Sequence, residues 1–116
     1  AIPEELVQVD WETPATINDG PTAARIRSAI GDRMGQDRLI NHPRAGMGAE
    51  DFAYYITPDT GVRGVYFIVG GTPSTELASA PGHHSPLFRV SQEPAVTAGV
   101  EAMVVAAETL MARPQS

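Results

Sequence analysis

Apolar and polar positions follow two different periods along this 116-residue chain, and the switches between them divide it into elements. Val7, Val9 and Trp11 alternate with Gln8, Asp10 and Glu12, the period-2 pattern of a half-buried strand. Pro14 lacks a backbone donor, which makes a central sheet position unsuitable for any extension of that strand. Asn18-Asp19-Gly20-Pro21 predicts a turn that becomes a helix start, with Asp19 as N-cap. Ala23, Ile26, Ile30 and Met34 then recur at helical spacing, and Gly35 is placed to end the helix. Residues 38–41 predict a short strand leading into a loop over 42–47. Residues 50–56 predict a short helix whose first turn holds Glu50 and Asp51, where the macrodipole favours acids.

The strongest strand signal lies at Val65-Tyr66-Phe67-Ile68-Val69, a continuous apolar run closed by Gly70-Gly71. Residues 72–90 predict a long loop rich in Pro, Ser, Thr and Gly, and a loop of that length in a compact domain usually has a function. The final predicted helix covers about residues 92–112. Its stripe of Val96, Val100, Met103, Ala107 and Leu110 is expected to face a core, with Glu101 and Glu108 in water. Val104 and Val105 widen the apolar side.

The resulting order is strand, helix, strand, helix, strand, loop, helix. That alternation predicts an α/β layer with parallel strands, about three strands and three helices in all. Three short strands make a thin sheet with open edges, so the expectation is a piece of a larger sheet.

Composition narrows the function classes. A 42% hydrophobic content with 19% charged residues is that of a globular chain, and a net charge of -6 disfavours nucleic acid. The sequence has no cysteine, which excludes disulfides and thiolate metal ligands within it and fits a cytoplasmic location. No apolar run approaches the roughly 20 residues that cross a bilayer, so no membrane partner is expected. The first residue is Ala1 and not Met, an expectation of processing or proteolysis and hence of a fragment.

Chemistry concentrates in two places. His84 carries an imidazole suited to zinc or another first-row divalent ion, on a loop that follows the apolar run 65–69. On residue type alone the better reading is a surface histidine in a polar loop. Adjacent imidazoles in extended chain point to opposite sides, so His83 and His84 are not expected to serve one ion together. Pro86 restricts Ser85 to extended geometry and stiffens the loop. The second place is Gly48-Ala49-Glu50-Asp51, after Gly46-Met47. Glycines bring backbone close to a ligand, and the two carboxyls offer acid–base groups or simply charge a helix start. Arg44 offers a guanidinium to a carboxylate or pairs within the chain.

In this order, Met47-Gly48-Ala49-Glu50-Asp51-Phe52, the run 65–69, His84-Ser85-Pro86-Leu87-Phe88 and a long terminal helix resemble the C-terminal part of a metal-dependent peptidase and amidohydrolase superfamily. The hippurate hydrolase branch is the nearest in pattern; carboxypeptidase G-type and indole-acetyl-amino-acid hydrolases belong to the same group. The likeness covers nearly the whole chain, and the Asn18-Asp19 helix entry fits it too. It implies the C-terminal part of a zinc-peptidase-like α/β/α catalytic domain over residues 19–116. Residues 1–18 would be the last strand and return linker of a lid domain through which two copies dimerise. It implies a metal ligand at His84 for one of two divalent ions, whether zinc, manganese, nickel or cobalt. Gly48, Ala49, Glu50 and Asp51 would line a pocket for an N-acyl amino acid or small peptide. The acidic pair that the family carries after the Phe is represented here only by Glu93, within Ser91-Gln92-Glu93.

The sequence holds no Cys-x-His and no His-x-x-x-Asp, and its one Glu-Glu pair is Glu4-Glu5 at the start of the chain. By the resemblance the other ligands, the bridging group and the water-activating Glu lie upstream of Ala1, no catalytic residue is present, and the piece retains neither metal nor activity. The competing expectation is a small α/β module that self-associates or binds a partner through its open sheet edges and apolar helix face.

Overall fold

In a computed structural model the described residues are 13–41 and 48–112. They form two α-helices, α1 (Gly20–Met34) and α2 (Gln92–Met111), and three short 3-10 helices at Gln36–Arg38, Asp51–Tyr55 and Pro58–Thr60. No strand occurs among the described residues. This overturns the α/β expectation of about three strands and three helices: the described fold is all-helical. The predicted strand at Val7, Val9 and Trp11 lies outside the described residues, as do the loop 42–47 and Arg44.

The reason is visible at the apolar run 65–69. A strand exists as a ladder, and these residues meet no second strand among the described residues. Among the described residues, Asn18 supplies a part of a ladder with its side-chain amide. Its Nδ2 donates to the Tyr66 carbonyl (2.8 Å), and the Tyr66 N–H donates to its Oδ1 (2.7 Å). Ile68, two residues on, is 63% exposed. Over 38–41 the chain winds through the 3-10 helix Gln36–Arg38 and is extended only from Leu39. Gly35, at a φ of 105°, makes that turn possible.

The chain divides into two compact units, each described by itself. The first contains the described residues of Ala1–Thr22 and His42–Tyr66. Asp19 opens α1 as expected: its Oδ2 accepts from the Thr22 N–H at 3.0 Å and from the Thr22 hydroxyl. The Asp19 N–H in turn donates to the Gly64 carbonyl at 3.0 Å. Gly64 is required there, because a Cβ would fall against the Ile56 side chain. Ala53 is wholly buried on the 3-10 helix Asp51–Tyr55, and the Phe52 ring lies 5.8 Å from the ring of Tyr66.

The second unit spans Ala23–Asn41 and Phe67–Ser116. Its buried apolar side chains are Ile26 on α1 and Ala102, Val105 and Ala106 on α2, the last three an i, i+3, i+4 stripe. The Arg25 guanidinium donates to the Thr109 carbonyl at 2.9 Å. An exposed Arg33–Glu108 pair at 3.7 Å adds little, since solvent screens it. The stripe expected to face a core is the wrong one: Val96, Val100 and Met103 are 60–63% exposed and Leu110 is 55% exposed. Small residues decide the matter. Ala102 and Ala106 let a neighbour approach closely beside Val105, whereas the bulkier stripe finds no cover among the described residues.

Helix α2 is long and apolar enough to cross a bilayer by length and composition, with a mean hydropathy of 1.3 over its best window. Glu101 near its middle opposes that use, because a charge at bilayer centre costs about 2.5–3.5 kcal/mol or more.

Candidate functional site

The two sequence signatures fall in different units: Gly48, Ala49, Glu50 and Asp51 in the first, His84 in the second. In the first unit, Gly48 and Ala49 are exposed, and a Cβ at Gly48 would meet only open space. Glu50 is half-buried and Asp51 exposed. The sequence places these acids at a helix start, and Glu50 caps it. Its Oε1 accepts the Phe52 N–H at 3.2 Å, which satisfies one of the donors that a helix start leaves open.

Hydrogen bonding and charge from the Glu50 carboxylate, with a slight contribution from burial, raise the Tyr66 pKa above the ordinary tyrosine value. Across the same unit, hydrogen bonds from the Thr22 hydroxyl and N–H hold the Asp19 carboxyl below the ordinary aspartate value, and the charge of Arg63 adds to this. The amide clamp of Asn18 on Tyr66 is a feature that sequence pattern did not reveal. The one signal available was an Asn directly before an N-cap, a side chain that carries both a donor and an acceptor.

In the second unit the 72–90 segment is a succession of hydrogen-bonded turns. Glu76 N–H bonds to Pro73 O, Ser79 N–H to Glu76 O, Ser85 N–H to Gly82 O (2.9 Å) and Phe88 N–H to Ser85 O (3.0 Å). The Ser85 hydroxyl oxygen also accepts the Leu87 N–H at 3.1 Å. The loop end is tied down where Ser91 N–H donates to Gly71 O at 2.8 Å, just before α2. These bonds fix the backbone on both sides of the histidine pair.

The two imidazoles take different surroundings. His83 packs edge-on to Phe88, with ring centroids 4.9 Å apart, and lines an open apolar depression of about 360 Å³ with Val69, Val90 and Val96. Both histidines are exposed, and His84 is not part of that lining. The extended chain from which the two rings were expected to diverge is replaced by a turn, in which His83 and His84 are the central residues.

Among the described residues no group of three or more His, Cys, Asp or Glu side chains is placed to hold a metal ion. A single imidazole does not fit a catalytic zinc-type ion, which takes three protein ligands and keeps one position open. The described residues therefore do not make a complete metal centre. No protein-family profile, curated protein or solved structure matches the chain at a significant level.

Proposed function

We propose that this chain is part of a metal-dependent amidohydrolase or peptidase that cleaves the amide bond of N-acyl amino acids or small peptides. His84 is a ligand of one of two divalent ions, and Gly48, Ala49, Glu50 and Asp51 form part of the substrate pocket wall. The remaining ligands and the group that activates water belong to the rest of the enzyme, which pairs as a dimer through its lid domain. On its own the chain is inactive. The observation that supports this reading most is the ordered pair of signatures, of which the second presents an exposed imidazole, His84, on a turn-braced loop while His83 is engaged by Phe88.

The coding sequence upstream of Ala1 tests the proposal. Cys-x-His and Glu-Glu segments in the same reading frame are expected, and a start codon directly before Ala1 overturns it.

A second reading is favoured by α2: the chain is a small helical module that covers this helix by self-association. Val96, Val100, Met103, Val104, Leu110 and Met111 are each 46–75% exposed, a continuous apolar surface of the kind that marks an interface. Sedimentation at rising concentration decides it, because a strictly monomeric, stably folded chain is incompatible with this reading.

A further inference from the structure

Helix α2 carries two apolar stripes on roughly opposite sides. Ala102, Val105 and Ala106 are buried within their own unit. Val96, Val100, Met103, Ala107 and Leu110 are all exposed, and each follows the last by alternately four and three residues. At about 3.6 residues per turn such a series stays on one side of a helix, in the narrow seam by which two helices pack together. Val104 and Met111 broaden one edge of it, and Thr97 and Glu108 mark where the polar surface begins.

We infer that this seam is the contact surface between two copies of the chain, with α2 of one packed on α2 of the other. This rests on the self-association reading above and adds to it the surface that is used. Charge selects the occupant. The seam has no charged side chain, and the positions that flank it in a helix pair, Thr97, Gly99, Val104, Ala106 and Met111, have none either. Such a face offers no ion pair to a basic or acidic partner and does not repel its own copy. A lipid surface holds an amphipathic helix through Lys and Arg on its polar face. Helix α2 contains neither, and the chain carries a net charge of -6. The area also fits. Side chains of this size and exposure present roughly 100 Å² each, hence about 600 Å² per copy and about 1,200 Å² for a pair, the lower bound for a specific interface. The pair is accordingly a weak dimer, with a Kd on the order of 10 µM.

Sedimentation equilibrium of the intact chain, from micromolar to near-millimolar concentration, tests this. A monomer–dimer equilibrium is expected, and it should tighten with added salt, which screens the repulsion between two acidic copies. Met103→Glu puts like charges into the middle of the seam and should weaken pairing by about a hundredfold or more. Met103 faces water in the monomer, so the helical circular dichroism of that variant should be unchanged. Leu77→Glu, an equally exposed apolar position outside α2, should leave pairing within about twofold. A second measurement uses the absence of cysteine from the chain. Met103→Cys brings a single thiol to the middle of the seam, near its counterpart whether the helices run parallel or antiparallel. Mild oxidation with diamide should give a disulfide-linked dimer, and Glu108→Cys, off the seam, should not. A dimer that survives Met103→Glu, or that only Leu77→Glu breaks, overturns the seam and leaves self-association standing. A chain that stays monomeric throughout the range overturns both.

Discussion

Replacing Asn18 with Ala removes the clamp that takes the place of a strand ladder at Tyr66. Two hydrogen bonds are lost, Nδ2 to the Tyr66 carbonyl at 2.8 Å and Tyr66 N–H to Oδ1 at 2.7 Å. Each such bond contributes about 0.5–1.5 kcal/mol net, and both sit at exposed positions where water takes over part of the role. The loss is therefore near the lower end, about 1 kcal/mol for the pair. At about 1.4 kcal/mol per tenfold change, the Tyr66 amide should exchange with solvent roughly five-fold faster. Residue-resolved hydrogen exchange by NMR reads this directly. Asn41→Ala, which removes the partner of Arg27 in the other unit, serves as control and should leave the Tyr66 amide unchanged. Asn18→Asp adds a sign test. The ionised carboxylate keeps an acceptor for the Tyr66 N–H but opposes an oxygen to the Tyr66 carbonyl, so protection returns only on protonation at low pH. An exchange rate at Tyr66 unaffected by Asn18→Ala refutes the claim that this side chain stands in for a strand.

Asp19→Ala should fray the start of α1 and lower helical circular dichroism. In the wild type the folded Asp19 pKa is depressed, so its stabilisation is complete above the unfolded value and is lost as pH falls through the folded one. Helicity should drop there, and Asp19→Ala should show no such step. Val105→Ala removes two buried methyl groups from the stripe that α2 does bury, and should lower stability by about 1.5–2.5 kcal/mol in urea denaturation. Val100→Ala, on the exposed stripe, should stay within about 0.5 kcal/mol, and equal costs at the two sites refute the assigned face. Gly61 has a φ of 66° with open space where a Cβ would go. Gly61→Ala should therefore cost about 1 kcal/mol from backbone conformation alone, and Gly61→Asn less.

Local chemistry was legible in the sequence, and partnership was not. Asp19 capping α1, Gly35 closing it and the helix over 92–111 all follow from side chains that act within a turn of their own position. Residues 65–69 carry an unmistakable strand composition, but a strand needs a second backbone beside it. Nothing in Val65 to Val69 states whether one will be there. The same limit applies to α2. Two apolar stripes run along it, and hydrophobicity favoured the larger side chains, whereas packing buried the alanines beside Val105. At the candidate site, His83 and His84 lie in a hydrogen-bonded turn that extended-chain alternation does not describe, and the Asn18 clamp on Tyr66 joins residues 48 apart in sequence and leaves no local trace.

The central claim is that His84 is one ligand of a metal centre whose other groups this chain does not contain. Equilibrium dialysis of the intact chain against zinc, manganese, nickel and cobalt, followed by an assay with N-acyl amino acids, tests it most directly. The account predicts only weak, substoichiometric binding that His84→Ala removes and His83→Ala leaves, with no turnover. Stoichiometric, tightly held metal together with hydrolysis by the isolated chain would contradict it.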